Sequence, residues 1–403
     1  NGIYKIETGD NIIHLSATTA NGINDKWAAV NRIAINPNNT NQFIAATQKG
    51  LYKSFDGGTT WDSVSVSGIT QGQSTADVKW ANNGTFILAA AGGNNKLVRS
   101  LDGGVSWNLI SNVSNLGFPS TQGRIEITIA PSNSNIAYVN IATNFGQTYG
   151  LYKTADEGTT WDTIALKSAS FDPFSSNGQG WYDNAIEVSP FDSSKLFVGG
   201  AYMYTYSPST GMNKVIQFVD QYISSTSYLD QFGYVFNDLN PDEVYFYSDR
   251  GIYKSTDANI HFSSPTFYPK HNGLNAQDFF SVAASKSGRV MGGSQEGRGT
   301  LINNPPSQSF SEIYPGLGGF CEFSHLDTNY LYLESYFGEL KGSNNGGGSI
   351  YVPFDTNIDP QLYFQPSRCG GFQNQNSAFI APFILFETKS AFNNNDSVNF
   401  VSY

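Results

Sequence analysis

The residues that could do chemistry are carboxylates and aromatic side chains in the loops between predicted strands. They are Trp181, Tyr182, Asp183, Asp230, Asp249, Arg250, Glu296 and Arg298. Aromatic rings stack on the faces of sugars, and two carboxyl groups can act as acid and base on a glycosidic bond. The loops therefore hold a candidate site for binding or cleaving a glycan, with Asp249, Glu296 and Asp230 as candidate catalytic groups and the other five as ligand-binding residues.

The same residues have a structural interpretation, which the sequence favours. Asp249 and Asp230 are of the type that caps turns, and Glu296 and Arg298 could form a solvated pair. Trp181 could pack between neighbouring sheets. On this interpretation none of these residues is catalytic.

Other kinds of chemistry have no matching motif. The four histidines are not spaced as a metal set or a catalytic triad, and no Gly-x-Ser-x-Gly, His-Glu-x-x-His or phosphate loop occurs. We therefore expect no metal and no cofactor. The histidines are His14, His261, His271 and His325.

A repeated turn, Ser/Thr-x-Asp-x-Gly-x-Thr/Ser-Trp, determines where these loops lie. Its Asp should accept hydrogen bonds from the backbone, its glycines should adopt positive φ and its Trp should bury a ring under the turn. One carboxylate per turn is too few ligands for a strong calcium site. The structural turn residues are Asp56 with Trp61, Asp102 with Trp107, Asp156 with Trp161, and the weaker copies at Asp257 and Asn345.

The spacing of the turns predicts the fold. The first three Asp positions, 56, 102 and 156, give a period near 50 residues, which is typical of a β-propeller. The first repeat shows four alternating segments within residues 30–66, and four antiparallel strands make a blade. We predict an all-β, multi-bladed propeller of about eight blades that forms a single domain over residues 1–403.

The two ends of the chain leave an alternative open. Strands in residues 2–15 could complete a blade with residues 379–403 and close the ring. The alternative is that the chain is a fragment of a longer protein, which we favour.

Strand direction separates the two faces of such a propeller. In an antiparallel blade the strand 1–2 and 3–4 turns share one face, and the 2–3 and 4–1 loops share the other. The repeated turns therefore lie opposite the candidate site. The long loops Leu166–Gly180, Ser263–Gln277 and Pro353–Ser377 belong to the site face and would set specificity.

Composition excludes several partners. Lys and Arg number 22 against 33 Asp and Glu, a net charge of −11, and this argues against nucleic acid or anionic lipid. No apolar run is long enough to span a membrane, and no signal peptide begins at Asn1, so we expect a mature or trimmed exported chain.

The two cysteines, Cys321 and Cys369, are 48 residues apart, which is about one repeat. They could fall at similar places in adjacent blades and form a disulfide, or remain free thiols. Their spacing does not suit a metal site.

The repeated turn resembles the Asp-box, or BNR repeat, of propellers in sialidases, xyloglucan hydrolases and sortilin-type receptors with a Vps10 domain. A closer resemblance is to exported Bacteroidota proteins with a sortilin-like propeller, many of them sent out by the type IX secretion system. It is carried by Gly180–Asp183, Ser248–Ser255, Asn272–Phe280 and Gly292–Thr300. The resemblance implies an extracellular or outer cell-surface location.

Several residues depart from these families. Glu296 and Arg298 differ from the Gly-Gly-Thr-Gln-Asp-Asn-Gly-Thr that members usually show, and residues 228–232 lack both histidines of their His-x-Asp-x-His motif. Arg32-Ile33-Ala34 lacks the Arg-Ile-Pro of sialidases, and Gln48 stands where the similar xyloglucan hydrolases place an Asp. These departures weaken each enzyme interpretation.

We therefore expect a propeller that acts as a binding or scaffold module for a protein or glycan ligand on its loop face. Other cell-surface or secretion-system proteins are further candidate partners. One alternative is a glycoside hydrolase that uses carboxylates on that face, and another is a sortilin-like peptide receptor.

Overall fold

The structure is a computed structural model that describes residues 1–7, 11–92, 96–110, 118, 122–175, 178–219, 229–270, 279–294, 299–306, 309–335, 339–352, 383–387 and 398–402. The chain divides into two compact units, Asn1–Asn272 and Gly273–Tyr403. Apart from a short 3-10 turn at Ser16–Thr18, the regular elements of the described residues are β-strands. No helix in this part of the chain is long and apolar enough to cross a membrane.

The first unit contains a hairpin and five four-stranded antiparallel sheets, each in chain order. The hairpin pairs β1 (Tyr4–Glu7) with β2 (Asn11–His14). The sheets consist of β3 (Val30–Asn36), β4 (Asn39–Thr47), β5 (Gly50–Ser54) and β6 (Asp62–Ser63); β7 (Asp77–Trp80), β8 (Ile87–Ala91), β9 (Lys96–Ser100) and β10 (Asn108–Leu109); β11 (Ile125–Ile129), β12 (Ala137–Ala142), β13 (Thr148–Thr154) and β14 (Asp162–Leu166); β15 (Ala185–Val188), β16 (Leu196–Gly199), β17 (Tyr204–Ser207) and β18 (Gly211–Lys214); and β19 (Gln231–Asn237), β20 (Asn240–Ser248), β21 (Gly251–Ser255) and β22 (Tyr268–Pro269).

The second unit has the same kind of antiparallel sheet. Its described strands are β23 (Phe279–Ala284), β24 (Val290–Ser294), β25 (Thr300–Asn303) and β26 (Phe310–Tyr314); β27 (Cys321–Phe323), β28 (Leu331–Glu334) and β29 (Leu340–Ser343); and the hairpin of β30 (Phe383–Glu387) and β31 (Val398–Ser402).

The predicted all-β, multi-bladed β-propeller is confirmed. Six four-stranded sheets, one three-stranded sheet and two hairpins among the described residues agree with about eight blades. That the hairpins near the two ends complete one blade, and that residues 1–403 form a single domain, stay predictions.

The core lies between neighbouring sheets. In β8 and β12 every residue is buried, because a second strand has a sheet packed on each of its faces. In one cluster Phe86 and Leu88 of one sheet pack with Ile125, Ile127 and Val139 of the next. Burial of each such apolar side chain contributes roughly 1.5–3 kcal/mol to the free energy of unfolding.

The repeated turn is a closed set of hydrogen bonds, seen most completely at Asp102. Its Oδ1 accepts from the backbone N–H of Ser106 (2.9 Å) and the hydroxyl of Ser100 (2.8 Å), and its Oδ2 accepts from the hydroxyl of Ser106 (2.6 Å). Ser100 Oγ accepts in turn from the N–H of Gly104 (2.8 Å). The Trp107 indole donates to the Gly104 carbonyl (3.1 Å), and its ring is buried.

The turns at Asp56 and Asp156 have the same bonds. Thr60 donates to Asp56 through its backbone N–H (2.9 Å) and its hydroxyl (2.6 Å). Trp161 is buried as Trp107 is, whereas Trp61 is half-buried. These three turns are therefore one structural module.

The weaker copies keep only part of the module. Asp257 accepts from the N–H of Thr266 (2.9 Å), nine residues along the chain, and Phe262 is buried close by in the sequence. In the second unit Asn345 Oδ1 accepts from the N–H of Ser349 (2.9 Å), but its amide donates to the Ser349 hydroxyl (2.9 Å). Together with Asp56, Asp102 and Asp156, these positions are called the Asp turns below.

Glycine is favoured inside the turn for two reasons, although Glu157 takes the place of Gly103 in the Asp156 turn with φ of 54°. Gly103 and Gly104 have φ of 70° and 89°, in the left-handed region that favours glycine. A Cβ on Gly104 would also lie 3.1 Å from Ile44 Cδ1 of the neighbouring sheet.

The Asp turns lie at the same end of their sheets as the strand 1–2 turns. The N–H of Gly103 donates to the carbonyl of Thr85 (2.9 Å) between β7 and β8, and that of Glu157 donates to Asn135 (3.1 Å) between β11 and β12. In the first unit the other loops therefore lie at the opposite end, which we call the loop face.

Cys321 in β27 is buried, and its thiol lies 3.5 Å from the Met291 carbonyl, to which it donates. Burial raises the pKa of this thiol to about 11. Cys369 lies outside the described residues, so the disulfide between the two stays a prediction.

Candidate functional site

A cleft of about 570 Å³ opens on the loop face of the first unit. The residues that line it precede the first strand of a sheet, begin that strand, or follow the second strand, where the 4–1 and 2–3 loops meet. Those with polar or aromatic side chains are Asn31, Arg32, Ser74, Gln122, Arg124, Thr143, Asn144 and Trp181.

Two arginines in the cleft are held by buried carboxylates. Arg124 Nε donates to Glu126 Oε1 (2.9 Å), and Arg32 Nη2 lies 3.6 Å from the same oxygen. Arg32 Nε is 3.7 Å from Asp77 Oδ1. The side chains of Arg32 and Arg124 are 37% and 23% exposed, so both cations are fixed and still accessible from the cleft.

The carboxylates come from the first strands of successive sheets. Asp77 Oδ2 accepts from the Ile127 N–H (2.9 Å), which ties β7 to β11. Burial raises the pKa of Glu126 and Asp77 raises it further, while the two arginines act against the rise.

In β15, the first strand of the next sheet, Glu187 accepts from the Thr128 hydroxyl (3.0 Å). Its pKa is raised by burial, and the nearby Lys79 opposes the rise. Among the described residues, three cations and three carboxylates thus lie in or directly before the first strands and compensate one another. They are Arg32, Asp77, Lys79, Arg124, Glu126 and Glu187.

Trp181 is presented to solvent at the cleft. It is 61% exposed, so it does not pack between sheets as the structural interpretation supposed. Arg124 donates to the carbonyl of Tyr182 and lies 3.5 Å from that of Trp181. The Tyr182 ring packs edge-on against Phe232 (5.1 Å between centroids), so the loop that carries Trp181 is held at two places.

Directly after this loop, two carboxyl groups face each other. Asp183 is 0% exposed, and neither of its oxygens accepts a hydrogen bond from another described residue, although its own backbone N–H acts to lower its pKa. Its side chain is within hydrogen-bonding contact of the Asp230 carboxyl, whose Oδ1 accepts from Gln179 Nε2 (3.1 Å). Burial and then the charge of Asp230 raise the pKa of Asp183 to about 9. Burial also raises the pKa of Asp230.

The turn between β20 and β21 lies beside this pair. The Asp249 N–H donates to the Asp230 carbonyl (3.4 Å), and the Arg250 N–H donates to Ser248 Oγ (3.1 Å). The charge of Arg250 lowers the pKa of Asp230 against the effect of burial, so the guanidinium is near that carboxyl.

The structure thus brings six of the eight predicted residues to the loop face of the first unit. Asp183, Asp230, Asp249 and Arg250 form one group and Trp181 with Tyr182 adjoins it. The remaining two, Glu296 and Arg298, lie outside the described residues.

Sequence reasoning missed the residues under the cleft: Arg32, Asp77, Lys79, Arg124, Glu126, Glu187 and, beside Asp230, Gln179. A signal was present for most of them. Glu126 interrupts the apolar run of β11, and Glu187 that of β15. A charge in the first strand of several repeats indicates a polar interior that the repeats share, because an isolated buried charge is costly.

The arrangement restricts the chemistry. Glycosidases separate their two carboxyl groups by roughly 5–5.5 or 6.5–9.5 Å to admit the glycosidic bond or a water. Asp183 and Asp230 are in contact, so this pair leaves no such space. Among the described residues, no group of three or more His, Cys, Asp and Glu is placed to hold a metal ion.

No family model matches the chain, and no curated protein matches it. Solved structures do. The GH74 xyloglucanase from Xanthomonas campestris is 15% identical with a TM-score of 0.50, over 81% of this chain and 58% of that one. YCF48 from Cyanidioschyzon merolae is 13% identical with a TM-score of 0.42, over 79% and 93%. The Cps50 (Swd1) β-propeller domain from Myceliophteria thermophila is 13% identical with a TM-score of 0.40, over 76% and 92%.

At this identity the likeness to the xyloglucanase concerns the fold alone. The chain spans 58% of the length of that enzyme. Activity must therefore be argued from the residues of this chain.

Proposed function

We propose that this protein is a binding module of the cell exterior, which holds a glycan or a polypeptide segment in the loop-face cleft. The observation that carries the proposal is the exposed Trp181 ring, fixed at the cleft by the contacts of Arg124 with the carbonyls of its loop. An indole held in this way offers a flat apolar surface whose ordering cost has already been met by the fold.

The rest of the cleft suits a ligand that is polar and uncharged. Its volume of about 570 Å³ is within the usual range of ligand sites. Asn31 and Asn144 supply side-chain amides, that of Asn31 also donating to the Thr75 carbonyl (2.7 Å), and the arginines already have carboxylate partners. Hydroxyl groups of a sugar or backbone amides of a peptide would match these donors and acceptors.

A glycoside hydrolase is the second candidate, because the raised pKa of Asp183 is of the kind that a general acid needs. Two features count against it. Asp183 is fully buried, and its contact with Asp230 leaves no space for the substrate bond. A hydrolase would therefore have to use other carboxyl groups, of which Asp249 is a candidate in this unit.

The location follows from the same proposal. An acidic chain with few cysteines and a rigid binding face is compatible with export to the cell surface or medium. Cell-surface or secretion-system proteins are then candidate partners for the same cleft, and a peptide held there would make the protein a peptide receptor.

The test is a glycan, polysaccharide and peptide array run with product detection. We expect binding without products, and we expect Trp181→Ala to weaken the binding by about 5- to 150-fold, because stacking of a ligand on an indole ring contributes on the order of 1–3 kcal/mol. Phe191→Ala is the matched control, since Phe191 is 44% exposed in the β15–β16 turn at the opposite end of the sheet.

Products that disappear in Asp249→Ala with Glu296→Ala would replace this proposal with a hydrolase. Binding that Trp181→Ala leaves unchanged would remove the cleft as its site.

A further inference from the structure

We propose that Asp183 and Asp230 form a binding site for a divalent cation, calcium by its chemistry, beneath the loop that carries Trp181. The proposal does not depend on the nature of the ligand in the cleft. It stands on the geometry of the two carboxyl groups and on the charge around them.

The first observation is the bare carboxyl of Asp183. Both of its oxygens are buried and neither accepts a hydrogen bond from another described residue. Leaving a buried carboxylate without donors is costly, so such groups normally bind a proton or a metal. What faces Asp183 is the carboxyl of Asp230, which as a carboxylate offers only acceptors.

A shared proton satisfies only part of this arrangement. It would join one oxygen of Asp183 to one of Asp230 and leave the second Asp183 oxygen bare. A cation bound by both Asp183 oxygens satisfies the whole group, and carboxylates bind calcium in this bidentate manner. Of the Asp230 oxygens, Gln179 Nε2 holds Oδ1 at 3.1 Å and leaves Oδ2 for the cation.

Local charge agrees with a divalent ion. The β20–β21 turn adds Asp249 and Arg250 to the pair, and Asp249 touches Asp230 through its backbone N–H. When ionised, the carboxylates of Asp183 and Asp230 carry −2 between them, which one divalent cation neutralises, and Arg250 acts on Asp230 from the same turn. Arg124 is also near Asp183, but its charge is already compensated by Glu126.

Oxygen ligands and irregular geometry select calcium over magnesium. Two carboxylates and the carbonyl of a side-chain amide such as that of Gln179 are hard ligands, with water completing the coordination. Magnesium needs a near-ideal octahedron, which loop residues from three separate segments do not readily supply.

The experiment uses the full chain, stripped with a chelator and then titrated with calcium chloride. We expect one calcium per chain by elemental analysis and a rise in Tm of about 3–8 °C at a concentration well above the Kd. Asp183→Asn should abolish both responses, and Asp230→Asn should weaken calcium binding at least tenfold.

Two controls carry the same change of charge elsewhere. Asp162→Asn alters an exposed carboxylate in β14, and Asp56→Asn alters an Asp turn. Both should respond to calcium as the wild type does. A response lost in Asp56→Asn but kept in Asp183→Asn would place the ion in the Asp turns and overturn the proposal.

A wild type that binds no calcium would also overturn it. In that case Asp183→Asn, which resembles the protonated acid in shape and charge, should itself raise Tm, and the pair would be a shared-proton contact only. If Asp183→Asn fails to fold, the Asp230→Asn variant and the calcium count of the wild type still decide between the two.

Discussion

The two faces of the first unit use aspartate in opposite ways. In the Asp turns the carboxylate lies at the surface and receives every hydrogen bond it needs from its own turn. The hydroxyl and N–H of Thr60 and the hydroxyl of Ser54 lower the pKa of Asp56 to about 2. On the loop face, burial and a second carboxyl raise the pKa of Asp183 to about 9.

At Asp102, burial and hydrogen bonding have opposite effects on the pKa. Slight burial acts to raise its pKa, but the hydrogen bonds from Ser106 and Ser100 outweigh that effect and the pKa is lowered. Hydrogen-bond donors from the same turn are thus typical of an aspartate that stabilises the fold. A buried aspartate without such donors is instead a candidate for binding a proton or a cation.

The largest difference between the faces should appear in their tryptophans. Trp107 is buried under an Asp turn, so Trp107→Ala should lower the free energy of unfolding by about 3–5 kcal/mol through the lost burial and the cavity left behind. Trp181→Ala should change it by less than about 0.5 kcal/mol, because the ring is exposed. Urea unfolding of both variants measures this, and equal losses would contradict the division into a structural and a binding face.

A smaller effect should come from Asp183→Asn, and it should depend on pH. Because the folded-state pKa is raised from 3.8 to about 9, the stability linked to this proton is complete below about pH 4 and is lost as pH rises toward 9. One proton links at most about 1.4 kcal/mol of stability to each pH unit above pH 4, and relaxation around the buried pair reduces the effect, so without calcium the variant should gain about 1–2 kcal/mol over the wild type at pH 8.

Thermal unfolding between pH 5 and pH 9 tests this, with chelator present throughout. The gain should shrink steadily toward pH 5. A variant less stable than the wild type at pH 8 would show that the Asp183 carboxyl has partners that this structure does not place beside it.

The smallest change should come from repairing the weak turn in the second unit. Asn345→Asp lets the Ser349 hydroxyl donate to a carboxylate, as Ser106 does to Asp102 at 2.6 Å, and we expect a gain of at most about 0.5 kcal/mol at neutral pH. The folded-state pKa should be lowered as at Asp102, so the gain should vanish as pH falls through that value.

The reverse change, Asp102→Asn, is the matched control and should lose a similar amount. Chemical unfolding at pH 7 and pH 3 compares the two variants. A loss in Asn345→Asp at pH 7 would mean that the weak turn is held by contacts other than those of the strong turns.

The repeat made the fold predictable. Each Asp turn is built from residues within about ten positions of one another, and its bonds link it to the preceding turn of the same sheet. Because these contacts join residues that are close in sequence, the strands, the turns and the two faces could all be predicted from the sequence. The placing of six candidate residues on the loop face followed from strand direction alone.

The chemistry of that face could not be predicted in the same way. Arg32, Asp77 and Glu126 belong to three different sheets, and Asp183 meets Asp230 across 47 residues of chain. Burial and pairing between such residues depend on how whole sheets pack, which no stretch of sequence contains.

The sequence by itself determined the all-β propeller, the structural role of the aspartates in the Asp turns, and the end of each sheet at which the loops lie. Short-range hydrogen bonds and the alternation of strand direction decide these three features. Only the tertiary structure decided that Trp181 is exposed to solvent and that the buried carboxylates of Asp77 and Glu126 compensate the charges of Arg32 and Arg124. It also decided that the buried carboxyl of Asp183 faces that of Asp230. Those properties arise from desolvation and from charges brought together across the fold, and both are set by packing.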